Sequence, residues 1–143
     1  MKHIKSYKIY ETGEWSKDID WNYVKNNPDD DSDEASLIKD LQNKIEEVVS
    51  LLDNDNIVEI INIRGFDLSQ GAYAIVRIFN KNYRISEIYS LDYLYIGKFP
   101  INNMDEDEIP GYKGDVEEIS DLLNDIYKSG GIEIYLSSKK FNI

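Results

Sequence analysis

Residues 72–91 read Ala-Tyr-Ala-Ile-Val-Arg-Ile-Phe-Asn-Lys-Asn-Tyr-Arg-Ile-Ser-Glu-Ile-Tyr-Ser-Leu. Two arms, 72–79 and 83–91, are rich in β-branched and aromatic residues, the types that fit a pleated, half-buried surface. Asn80-Lys81-Asn82 between them is a short polar loop suited to a hairpin. A hairpin here commits the middle of the chain to an antiparallel sheet, and the remaining elements are read outward from it.

On the N-terminal side, Ile57 to Arg64 is isoleucine-rich and apolar on both faces, as expected of a central strand covered on most of both sides. Before it, Leu37, Ile38, Leu41, Ile45, Val48, Val49 and Leu52 form one apolar stripe at the helical period. Asp31 or Ser32 can cap that helix, and Asp33 and Glu34 suit the positive end of its dipole. Asp53-Asn54-Asp55-Asn56 ends it. Lys2 to Tyr10 alternates as an N-terminal strand would, and Trp15 to Asp33 reads as an aromatic loop followed by an acidic turn.

On the C-terminal side, Tyr93 to Ile96 predicts a fourth aromatic strand, and 101–114 an exposed loop. Val116, Ile119, Leu122, Leu123 and Ile126 mark a second helix, with Asp115 and Glu118 spaced as a capping box and Ser129-Gly130-Gly131 as its stop. Ile132, Ile134 and Leu136 alternate with polar neighbours and predict a closing strand. Strands that cluster between two helices argue for an α+β fold: a mainly antiparallel sheet of five to six strands with two helices packed against it. No repeat or linker divides residues 1–143, so one domain is expected.

The chain carries a formal charge of −12, and its distribution is uneven. Residues 11–60 hold 15 acids and 4 bases, residues 101–125 hold nine acids and one lysine, and the rest is mildly basic. Direct binding to a phosphate backbone is disfavoured, because that binding depends on Lys and Arg displacing counterions. The absence of cysteine excludes disulfides, thiolate metal sites and cysteine nucleophiles, and allows a cytoplasmic location. No apolar run reaches the roughly 18 residues of a membrane span, and the N-terminus lacks the apolar core of a signal peptide.

Chemistry finds little support. His3 is the single histidine and lies near a terminus, a poor base for nucleophilic catalysis or zinc binding. Asp29, Asp31 and Asp33 could stand at the first ligand positions of a calcium loop, but Glu34 then falls where the turn needs glycine. Asn103, Asp105 and Asp107 fail in the same way at Glu108, so both runs read as solvated loops without a metal. No phosphate-cradling glycine motif or serine elbow is present, and no cofactor is expected. Glu59 and Glu87 are the acids set in apolar strands. They are expected to face solvent or to pair with Arg77 or Arg84 across the sheet.

Acidic residues beside aromatics suit the capture of a basic protein, since charge speeds encounter and aromatic anchors hold the complex. The candidate surface is Trp15, Trp21, Tyr23, Asp29, Asp30, Asp31, Asp33 and Glu34, with Asp105, Glu106, Asp107 and Glu108. In its element order, from the Leu37–Leu52 stripe through the strands between Ile57 and Ile96 to the Asp115–Lys128 helix and the Ile132–Leu136 strand, the chain resembles bacterial immunity proteins that neutralise polymorphic or contact-dependent toxins. That resemblance implies tight binding to a toxin domain and no catalysis. One alternative is a phage or mobile-element inhibitor whose acids imitate nucleic acid and block a nucleic-acid-binding protein. Another is a small-molecule-binding or hydrolytic domain using Glu59, Glu87, Arg77 and Arg84 in a sheet pocket.

Overall fold

A computed structural model describes residues 19–65, 72–88, 92–105 and 108–140. The N-terminal strand expected over Lys2 to Tyr10 lies outside the described residues. Among those that are described, the fold is α+β: one five-stranded antiparallel sheet with helices on one of its faces.

Helix α1 is Trp21–Asn26 and α2 is Asp33–Ser50. The strands are β1 Val58–Gly65, β2 Ala72–Ile78, β3 Lys81–Ile88, β4 Tyr93–Gly97 and β5 Gly111–Gly114. Helices α3 Val116–Ser129 and α4 Ile132–Lys140 complete the order. The strands lie in the sheet in chain order.

Register follows from burial. Ala72, Ala74, Val76 and Ile78 are buried on one face of β2, while Tyr73, Ile75 and Arg77 point to the other. Across the ladder, Tyr83, Ile85 and Glu87 of β3 share the buried face, followed by Leu94 and Ile96 of β4. Ile38, Leu41, Ile45 and Val48 of α2 and Ile119, Leu123 and Ile126 of α3 pack down onto that face as a single core. Burial of the large aliphatic side chains contributes roughly 1.5–3 kcal/mol each, the main term opposing chain entropy.

The ends of the long helices are built as the residues predict. The Ser32 hydroxyl accepts from the Ala35 N–H at 3.3 Å and caps α2. Asp115 accepts from the Glu118 N–H at 2.8 Å while the Glu118 carboxylate accepts from the Asp115 N–H at 3.0 Å, closing a capping box on α3. Gly130 ends α3 in the left-handed region, at φ 104°.

Five details differ from the sequence reading. The segment from Trp15 to Asp33 is not all loop, because Asp20 caps Trp21–Asn26 by accepting from the Tyr23 N–H at 3.0 Å. The hairpin turns on Phe79 and Asn80 alone, both at positive φ (48° and 69°), with Ile78 opposite Lys81; such a two-residue turn matches the twist of its strands. The 101–114 segment contains a short strand, Gly111–Gly114, paired to β4. Ile132–Leu136 is helical, because the Tyr135 N–H bonds back to the Gly131 carbonyl at 3.0 Å and Ile132 and Tyr135, one turn apart, pack on the core. Finally, among the described residues β1 lies at the border of the sheet and not at its centre. Its isoleucines divide: Ile63 is buried, Ile60 is half-buried, and Ile61 is 43% exposed where the register slips between Ile60 and Asn62.

Candidate protein-binding surface

The first acidic run follows α1. Trp21 and Tyr23 are half-buried against the core, so they anchor the short helix as well as bordering the surface. The Tyr23 hydroxyl donates to Asp30 Oδ2 at 2.7 Å and the Ser32 N–H donates to Asp30 Oδ1 at 2.9 Å. These bonds favour the charged form, and hold the Asp30 carboxyl below its usual range, the Ser32 N–H having the larger effect. Lys39 of α2 donates to the backbone carbonyls of Pro28 and Asp30 at 3.1 and 3.0 Å. Asp30 thus shapes the loop, while Asp29, Asp31 and Asp33 remain exposed and Glu34 is half-buried. Trp15 lies outside the described residues.

The second run belongs to the β4–β5 connection. Asp105 and Glu108 are exposed there, joined by the Glu108 N–H to the Asp105 carbonyl at 2.9 Å. The Tyr95 hydroxyl donates towards the carbonyls of Ile109 and Pro110 at 3.2 and 3.0 Å and holds the loop to β4. Burial and the charge of Glu108 push that phenol above its ordinary value. Glu106 and Asp107 lie outside the described residues. The two runs do not meet: the first sits beside β1, through an Asp20–Arg64 bridge, and the second beside β5. Four strand spacings, about 19 Å, separate those edges.

What the fold does assemble is an acidic helical layer. Asp33, Asp40 and Glu47 recur every seventh residue on α2, which sets them nearly in line, and all three are exposed. Glu117, Asp121 and Asp125 form a second exposed line on α3. The helices lie side by side, joined where Asn124 Nδ2 donates to the Leu51 carbonyl at 3.0 Å and its Oδ1 accepts from the Asp53 N–H at 2.8 Å. The seven-residue spacing was the available signal for the α2 line.

The opposite face of the sheet has the other sign. Arg64, Arg77, Arg84 and Lys113 all fall on it by register, beside Tyr73, Tyr93 and Tyr95. Arg77 pairs with Glu59 at 2.9 Å, as expected from the sequence, and Arg84 stacks over the Tyr73 ring at 4.2 Å. Glu87 departs from expectation. It lies on the covered face, and its ion pair is with Lys44 of α2 at 3.6 Å. Glu59 and Glu87 are therefore on opposite faces of the sheet, and Arg77 and Arg84 are both on the face away from Glu87. The four cannot line one pocket.

Among the described residues, no group of three His, Asp or Glu side chains is placed to hold a metal ion, and no helix is long and apolar enough to cross a membrane. Comparisons with protein-family models, with curated proteins and with solved structures find no match.

Proposed function

We propose that this protein is a binding inhibitor that captures a basic partner on the acidic layer of α2 and α3, with a toxin domain neutralised by an immunity protein as the class of partnership. The observation that carries the reading is the pair of exposed acidic lines, Asp33-Asp40-Glu47 and Glu117-Asp121-Asp125, on two helices fixed by a shared core. Charges held on packed helices keep their spacing when a partner arrives, so little ordering entropy opposes association. A field of one sign over a whole layer raises encounter rates with a cationic surface.

Charge density favours a basic protein surface as the target over imitation of nucleic acid. Helix α2 is about 27 Å long and carries five acids and two lysines. Duplex DNA of that length carries on the order of 16 phosphates.

The test is a pull-down from the native host, with elution by a salt gradient, followed by stopped-flow association with the partner identified. Binding that slows steeply between about 0.05 and 0.5 M salt supports electrostatic capture. So does a large fall in association rate on reversing Asp40, Glu47, Asp121 and Asp125 together. Salt-independent binding, or a rate indifferent to those reversals, would overturn the reading.

A further inference from the structure

Strand β1 is hydrogen-bonded to β2 on one side, and on its other side the described residues supply only the Asp20 bridge at Arg64. The Val58–Ile61 half is left at the border of the sheet, where unpaired peptide groups can accept another strand. Beside this half, α2 opens a groove of about 400 Å³ lined by Glu46, Val49, Ser50, Asp55, Val58 and Ile60. Val58 is buried and Val49 and Ile60 are half-buried, giving an apolar floor, while Glu46 and Asp55 are exposed on the rim. The bulge limits its length: the Ile63 N–H is turned to the Asn62 side chain at 2.9 Å, so regular pairing would stop there.

We propose that this edge takes an extended basic segment of the partner as a sixth strand, with apolar side chains over Val49 and Ile60 and flanking Lys or Arg side chains towards Glu46 and Asp55. The proposal rests on the reading of the protein as a captor of basic partners and adds the mode of capture. Main-chain hydrogen bonds to Val58–Ile61 supply affinity, and the groove and its acidic rim select the sequence. Charge also decides against a second copy of this chain as occupant. Antiparallel pairing of two β1 strands over Val58–Ile61 would set Glu59 beside its own copy, and like charges across a strand pair destabilise it.

The experiment titrates the ¹⁵N-labelled full chain with the blocked peptide Lys-Thr-Val-Thr-Ile-Thr-Lys, whose apolar residues and flanking lysines share one face of a strand, and with its glutamate counterpart. Two further peptides are N-methylated, one at the threonines and one at the valine, the isoleucine and the second lysine. A strand added at an edge uses one alternate set of amides, so one methylated peptide should lose about ten-fold or more in affinity while the other keeps it. Amide shifts should centre on Val58–Ile61, the glutamate peptide should not bind, and E46K/D55K should weaken the lysine peptide about ten-fold. Overturning results are equal binding by both methylated peptides, shifts confined to the α2 and α3 acidic lines, or amides of Val58–Ile61 already protected and unmoved, which would mean the edge is filled by the chain itself. The two readings fail separately. If E46K/D55K leaves partner capture intact while reversal of Asp40, Glu47, Asp121 and Asp125 removes it, strand addition is wrong and helical capture stands.

Discussion

The Lys44 ammonium stands 3.6 Å from the Glu87 carboxylate, on the face of the sheet covered by α2, where the Glu87 side chain is only 4% exposed. Lys44 also reaches Asp92 at the solvent side, so one cation joins the helix to both ends of the β3–β4 turn. A buried carboxylate deprived of its cation is costly, up to 3–5 kcal/mol where burial is complete. Because Lys44 is itself partly exposed, we expect Lys44→Met to destabilise the fold by about 2 kcal/mol. Thermal melts should show a fall of roughly 4–8 °C for a chain of this size. Glu87→Gln should lose less, since Lys44 keeps Asp92.

The same group gives a pH signature. Hydrogen bonding to Asp92, and then the charge of Glu87, raise the Lys44 amine above its ordinary value of 10.5. A raised amine stabilises the folded state fully below its unfolded value and loses that contribution as pH rises through the folded one. Wild type and Lys44→Met should therefore differ by a constant amount from pH 7 to about 9 and converge in more alkaline solution. A difference that persisted undiminished in strongly alkaline solution would contradict this assignment.

Asp30 works in the opposite direction. Its carboxyl is held below the ordinary 3.8 by the Ser32 N–H and the Tyr23 hydroxyl. The stabilisation it provides is present above that ordinary value and is lost as pH falls through the lower, folded one. Asp30→Asn should reduce stability at neutral pH by about 0.5–1 kcal/mol, as expected of solvent-accessible hydrogen bonds. In strong acid it should match wild type. Urea melts at pH 7 and below pH 3 would show both.

Gly111 is a steric requirement. A Cβ there would lie 2.4 Å from the Ile96 carbonyl oxygen and 2.7 Å from the Tyr95 ring, both on the neighbouring strand. Gly111→Ala must push β5 away from β4, and we expect a loss of about 2–4 kcal/mol in urea denaturation. Gly130→Ala is a useful comparison. It meets only the end of the Ile134 side chain, at 3.0 Å, but must hold a left-handed φ, so about 1 kcal/mol is expected.

The two acidic loops should behave as separate surfaces. Reversal of Asp29, Asp31 and Asp33 includes the first residue of the α2 line and should slow partner association. Reversal of Asp105 and Glu108, on the β5 side, should slow it less. Equal effects in stopped-flow measurements would mean that the partner spans the whole sheet.

Local periodicity made α2 and α3 legible, down to a cap at Asp31 or Ser32 and the Asp115–Glu118 box, because a helix is specified by residues within a few positions of each other. The sheet was legible as a hairpin and a meander for the same reason. The errors lie where tertiary context decides. Ile132–Leu136 alternates like a strand, yet it follows a two-glycine turn onto α3 and packs there as a helix. Ile57–Arg64 is apolar enough for a central strand, but a bulge and an edge position expose Ile61. Of the candidate surface, the exposed acids were visible in the sequence, whereas the structural duty of Asp30 and the split between the two runs depend on which strand each loop adjoins.

The sheet keeps chain order from β1 to β5, so every strand pairs with its nearest neighbour along the polypeptide. Each pairing then closes only a short loop, and little chain entropy is lost before hydrogen bonds and burial compensate. The Phe79 N–H, bonded to the Ile57 carbonyl at 3.1 Å, also ties the hairpin tip to the residue just before β1. The middle of the molecule can thus assemble early, as a self-contained nucleus onto which α2 and α3 later settle, and refolding of this domain should fall at the fast end of the range for sheet-containing proteins.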